Sequence, residues 1–128
     1  NTGDYSAASN TGDYSAASNT GDYSAASNTG ARSAASNTGY YSAASNTGYY
    51  SAASNTGDYS AASVEGEESV AIVTGRGSRA AGALGCWIVL TERDINWHIV
   101  EVRAVKVDGG QVEPGVFYTL TGGEVVEA

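Results

Sequence analysis

Residues 1–63 contain no Leu, Ile, Val, Met or Phe. A segment without large apolar side chains cannot bury enough area for a conventional core. The whole chain of 128 residues has one Cys, one Pro, one Phe and no Met. The single cysteine, Cys86, excludes an intrachain disulfide and fits either redox compartment. Basic residues are few: six Lys and Arg stand against fourteen Asp and Glu, a formal net charge of -8. Such an acidic surface repels phosphate backbones, so nucleic acid is not an expected partner. No basic amphipathic stretch favours a membrane surface. The longest strongly apolar run, CWIVL (86–90), is far too short to cross a bilayer. There is no initiator Met, and the chain opens at a repeat boundary, which reads as a piece of something longer.

What fills the space is one phrase, NTGDYSAAS, repeated almost without change to Ser63. The phase continues beyond it. Gly57 is followed at the same spacing by Gly66 and Gly75, and Ser60 by Ser69 and Ser78. VEGEESVAI and VTGRGSRAA are thus degenerate eighth and ninth copies. The array is read as 1–81, followed by a different segment, 82–128. The composition matches low-complexity disorder, but a fixed short period is the mark of a solenoid.

Comparison of the copies assigns the faces. The third, sixth and eighth positions are always Gly, Ser and Ala. The second, fourth, fifth and seventh accept charge and face outward. With period-two alternation, the sixth and eighth positions and the next first position share the inner face: Ser, Ala and Asn. Each nonad reads as a strand, roughly YSAAS, and a corner, roughly NTGD, with the invariant Gly expected at positive φ. Inner residues this small would leave voids in a triangular coil of three nonads. The expected fold is therefore all-β: a flat two-sided parallel β-roll, two nonads per turn. Nine nonads make four and a half turns, roughly 20 Å long at about 4.8 Å per rung. The repeated asparagines, Asn1 to Asn55, are expected to form amide ladders between rungs, and each inward Ser to donate to a backbone carbonyl.

The remainder reads as a small antiparallel β cap of four or five strands. CWIVLTERD and INWHIVEVRAVKVD supply strands, DGG and EPG turns, and VFYTL with EVVE a closing hairpin. Its expected core is Trp87, Ile88, Leu90, Ile99, Val100, Val102, Phe117 and Leu120, which would cover the open end of the roll.

No catalytic, cofactor-binding or metal-binding residues emerge. A calcium roll needs oxygen ligands at every turn, and Asp gives way to Ala31, Tyr40 and Tyr49 in successive copies. Cys86 and His98 form no zinc motif and no nucleophile–base pair. Glu65, Glu67 and Glu68 read as a solvated corner. The informative surface is aromatic. With two nonads per turn, one column carries Tyr5, Tyr23, Tyr41 and Tyr59. The other carries Tyr14, Arg32, Tyr50 and Glu68, with Arg32 between two rings and Tyr40 and Tyr49 adjoining. That surface is the candidate interface with another protomer or a glycan.

The stretch SVAIVTGRGSRAAGALG (69–85) resembles the head repeats of trimeric autotransporter adhesins, which follow a Ser-x-Ala rhythm punctuated by Gly. The resemblance implies a thin parallel roll with small inner residues and side-by-side packing of rolls. The period here is nine, where those heads use a seven-residue half-turn. The near-perfect repeat with its small β segment is also similar to repeat proteins of gut bacteria and their phages, a likeness that carries no function. The expected function is a non-enzymatic structural or attachment module, a stiff rod that self-associates side by side or end to end. An extracellular, cell-surface or virion setting suits it. An unguarded N-terminal rung would be one template for such contact. The alternative is an ice-binding or glycan-binding solenoid. Against ice, bulky Tyr interrupts a flat array that offers one outward Thr per nonad.

Overall fold

The computed structural model describes residues 2–128, and no helix occurs among them. Nine short strands come first: β1 Ala7–Asn10, β2 Ala16–Asn19, β3 Ala25–Asn28, β4 Ala34–Asn37, β5 Ala43–Asn46, β6 Ala52–Asn55, β7 Ala61–Val64, β8 Val70–Val73 and β9 Arg79–Ala81. Four more follow: β10 Trp87–Arg93, β11 Ile99–Lys106, β12 Tyr118–Thr121 and β13 Glu124–Glu127. One sheet has the order β1-β3-β5-β7-β9-β12-β13 and the other β11-β10-β8-β6-β4-β2. Within the array the pairing is parallel, and each residue lies on its counterpart 18 positions on: Ala7 on Ala25, Ala16 on Ala34. Two nonads therefore make one turn, and the chain is a flat parallel β-solenoid.

Inner and outer faces follow the alternation. Ala44 is 1% exposed, Ser42 and Asn46 are buried with it, and Ala43 points to solvent. The strand itself is AASN, two residues later than expected. The cause lies in the corner. The fifth residue of each of the first eight nonads, whether Tyr, Arg or Glu, adopts φ between 55° and 61°. That left-handed residue turns the chain, so Tyr belongs to the corner and not to the strand. The ninth nonad fills the same place with Gly77, at φ 67°.

The third-position glycines are invariant for another reason. None of them has positive φ. A Cβ on Gly39 would stand 2.1 Å from the carbonyl oxygen of Gly21, one rung below, and one on Gly57 would stand 2.0 Å from that of Gly39. The rungs meet here backbone to backbone, and no side chain fits.

Polar groups hold the thin interior. The Ser24 amide donates to Ser42 Oγ (3.2 Å), while the Ser42 hydroxyl reaches the carbonyls of Tyr40 (3.2 Å) and Gly21 (3.4 Å). The asparagines do not form the expected ladder. Asn19 Nδ2 donates to Ala25 O (2.5 Å) and Asn28 Nδ2 to Ala34 O (2.5 Å), bridging one sheet to the next strand of the other. Asn37, Asn46 and Asn55 do the same to Ala43, Ala52 and Ala61. Each Asn terminates its strand and faces the start of the following one, so the nearest acceptor lies across the corner. Asn1 lies outside the described residues.

The roll does not stop at residue 81. β10 pairs in parallel with β8, Trp87 on Val70, which adds a tenth half-turn. Cys86 occupies the serine slot: its Sγ donates to Gly66 O at 3.0 Å, as the Ser69 hydroxyl does to Gly48 O at 3.4 Å. The C-terminal strands are antiparallel, but they form two pairs and not one meander. β11 extends the sheet of β10, and β12 with β13 extends the sheet of β9 through the single pair Tyr118–Ala80. Gly122 and Gly123, at φ 60° and 79°, make the two-residue turn of the second hairpin.

Of the expected C-terminal core, Ile88, Leu90 and Leu120 are buried and Phe117 is partly buried. Trp87, Ile99, Val100 and Val102 are exposed. Trp87 neighbours Ile88 in a strand, so only one of the two can face inward. Val102 lies opposite Thr91 on the outer side of a strand that ends its sheet. Cys86, Val107, Val112 and Tyr118 complete the core instead.

Two contrasts test this construction. Gly39→Ala should cost about 3 kcal/mol or more by overpacking, whereas Tyr41→Gly relieves a left-handed residue and loses ring contacts of similar size, so its net effect stays within about 1 kcal/mol. Likewise Ala44→Leu should cost about 1–3 kcal/mol and Ala43→Leu about 0.5 kcal/mol or less. Denaturant melts of the four variants check both contrasts.

Candidate aromatic contact face

Because the fifth residues sit in corners, the aromatic columns run along the two narrow edges of the roll. Over the first seven nonads the sheet faces between them carry only the small seventh and ninth residues, such as Ala43 and Ser45. The first column brings together Tyr5, Tyr23, Tyr41 and Tyr59. Successive ring centroids are 5.2, 5.3 and 5.4 Å apart, with interplanar angles of 7°, 6° and 13°. The left-handed backbone aims each ring along the edge, and the 18-residue register puts it on its counterpart. Exposure falls from 78% at Tyr5 to 44% at Tyr59 as neighbours accumulate.

The second column alternates in kind. The Arg32 guanidinium lies 5.7 Å from the Tyr14 ring centre and 5.5 Å from that of Tyr50. Arg32 Nη1 also donates to the Tyr14 hydroxyl at 3.0 Å. A cation held between two electron-rich faces gains from both. Tyr40 and Tyr49 occupy fourth positions beside these columns and are exposed. Glu65, Glu67 and Glu68 form an exposed corner.

The aspartates of the fourth position have a local task. Asp4 Oδ1 accepts the Asp22 amide and Asp13 Oδ1 the Ala31 amide, each at 2.9 Å. Asp22 does the same for Tyr40 (2.9 Å) and Asp58 for Arg76 (2.8 Å). Each carboxylate thus satisfies a corner amide of the next rung. No group of three or more His, Cys, Asp or Glu residues is arranged to hold a metal among the described residues. Cys86 is buried in the roll, while His98 is exposed, with Nδ1 3.7 Å from Asp94 Oδ2.

One member of the aromatic face was not legible in the repeat. Trp97 follows β10 in a loop with φ 68°. The Asp94 carboxylate accepts the amides of Asn96 (2.8 Å) and His98 (3.0 Å). Arg93 ties the loop to the roll, donating to Thr74 O (2.6 Å) and Trp97 O (2.7 Å). The indole then lies under Arg76, whose guanidinium is 5.1 Å from the ring. Gly77 leaves the first column without a side chain at this rung, and Trp97 closes that end. Tyr40, Tyr41, Asp58, Tyr59 and Trp97 line a cleft of about 290 Å³. The only signal in the sequence was a lone Trp in a polar loop, INWH.

Tyr41→Ser removes two ring contacts from the middle of the first column and should cost about 1–2 kcal/mol. It should also remove most of the near-ultraviolet circular dichroism that coupled tyrosines produce. Tyr40→Ser should change both far less. No family model, curated protein or solved structure matches the chain.

Proposed function

We propose that the protein is a non-enzymatic structural or attachment module: a stiff rod that presents two aromatic edges to other molecules and carries the C-terminal strands at its end. The supporting observation is the first column, four stacked tyrosines held at rung spacing and open to solvent. Fixed rings lose little conformational freedom on contact, which favours tyrosine at interfaces. Within the array, four aspartates accept corner amides and the inner serines bond carbonyls, tasks that belong to the scaffold. The C-terminal strands cover the last rung of both sheets and act as its cap. The likeness to adhesin head repeats adds a mode of assembly, rolls packed side by side.

A second reading, glycan binding, rests on the cleft at Tyr40, Tyr41, Tyr59 and Trp97. Aromatic faces meet the apolar faces of sugar rings, and the Asp58 carboxylate beside them can accept hydroxyl protons.

Sedimentation velocity on the 13.0 kDa chain across a concentration range tests the first reading. Species larger than dimer should appear, and Tyr23→Ser with Tyr41→Ser should remove them. If both tyrosines are dispensable for assembly, lateral contact through this edge is wrong. Quenching of Trp97 fluorescence by oligosaccharides, lost in Tyr59→Ser, would support the second reading instead.

A further inference from the structure

The two sheets end on strands of different character. β13 begins with Glu124 and ends with Glu127, so an identical strand laid against it meets like charge. β11 carries both signs, Glu101 and Arg103, among Ile99, Val100 and Val102. It is the last strand of its sheet, and Val100 and Val102 are 60% and 54% exposed. An open edge with apolar side chains and mixed charge is a pairing template.

The backbone fixes what can pair with it. The Val107 amide donates to Cys86 O at 2.8 Å. By alternation Glu101, Arg103 and Val105 turn their backbone groups toward β10, and Val102 and Ala104 turn theirs to the open edge. A second strand must therefore match even-numbered residues to even-numbered ones if it is a copy of β11. Antiparallel registers then shift in steps of two residues. The register centred on Val102 places Glu101 opposite Arg103 of the second copy, and Arg103 opposite its Glu101, with Val100 opposite Ala104. The next registers on either side place Arg103 on Arg103 or Glu101 on Glu101. Like charges directly opposite are unfavourable, and only the Val102 register sets opposite charges against each other twice, so it is favoured over its neighbours. Glu101 and Arg103 already meet within one chain, Nη2 to Oε2 at 2.6 Å, which puts both side chains on the same face and within reach.

We infer that β11 is a dimerisation edge, taking β11 of a second copy of this chain in an antiparallel, two-fold arrangement with Val102 on the axis. The contact is isologous, as a closed dimer requires. It joins the C-terminal ends of two rods and is separate from the tyrosine edge, so either contact can fail alone.

Sedimentation equilibrium of the full chain in the Tyr23→Ser, Tyr41→Ser background isolates this contact. A mass of twice 13.0 kDa is expected. Glu101→Arg and Arg103→Glu, each alone, should raise the dimer dissociation constant by about tenfold or more. Both side chains are partly exposed, 44% at Arg103 and 35% at Glu101, and circular dichroism should report the same fold. An equimolar mixture of the two single variants restores opposite charges at both positions and should recover the dimer as a heterodimer. A monomer at every concentration overturns the proposal, as does a dimer indifferent to both reversals. A mixture that stays monomeric overturns the register.

Discussion

The contact on which the roll depends is the close approach of one corner to the next. At each third-position glycine from Gly21 to Gly75, a Cβ would meet the carbonyl oxygen of the glycine one rung below, with no space for a methyl group. The backbone ladder fixes the rung height, and the missing side chain lets the corner follow it, so every other feature is carried up the axis in the same register. The serine amide finds the next serine hydroxyl and the tyrosine finds the next tyrosine ring because the corner keeps 18-residue counterparts in line. The same corner needs a left-handed fifth residue. Such a conformation costs a non-glycine residue on the order of 1 kcal/mol. In the first column ring stacking of comparable size offsets it, so there the strained position and the aromatic column are one device.

The interior stands on hydrogen bonds more than on area. Over most of its length the largest inward group is asparagine, and apolar burial comes from alanine alone. The asparagine amides bridge the two sheets, but the Oδ1 atoms of Asn19, Asn28, Asn37, Asn46 and Asn55 are buried without a hydrogen-bond partner. Each such atom carries a desolvation cost. The substitution of Val64 and Val73 at the same position removes that cost and adds apolar area. Ile88 and Leu90 continue the trend into the tenth half-turn. Cohesion therefore rises toward the C-terminal end, where side chains are large, and is least in the perfect copies.

Much of this was legible because the copies annotate one another. Invariance at three positions and charge tolerance at four more separate the faces, and the small size of the inner set implies two nonads per turn. What escaped were matters of local conformation. An invariant glycine suggests positive φ, yet here steric contact demands it and tyrosine takes the left-handed place. The tenth half-turn was hidden because Cys86 stands for serine and Ile88 for alanine, with the period shortened by one residue. The C-terminal core was overcounted because a run such as CWIVL looks wholly buried, whereas a strand at the end of a roll buries only alternate residues. Trp97 could not be placed at all, since its position depends on the Asp94 turn and on Arg93 reaching back to Thr74.

Near-identical repeats raise a difficulty that the C-terminal segment resolves. A strand displaced by one full turn would find the same inner faces and the same serine bonds, so within residues 1–63 little beyond the Arg32 contacts distinguishes one register from the next. Unique contacts must supply it. Ile88 and Leu90 fit only beyond the valines of β8, and Thr119 Oγ1 donates to Ser78 O at 2.8 Å. Glu92 receives the amides of Gly122 and Gly123 at 2.9 and 3.0 Å, locking the second hairpin to the first. Contacts of this kind have no equivalent one turn away. Their apolar area also makes this end the most cohesive place to begin. Each further rung then adds only short-range closure of 18 residues, as nearest-neighbour assembly of repeats requires. Folding that starts at this irregular, strongly specified end would give each regular rung a neighbour already in register.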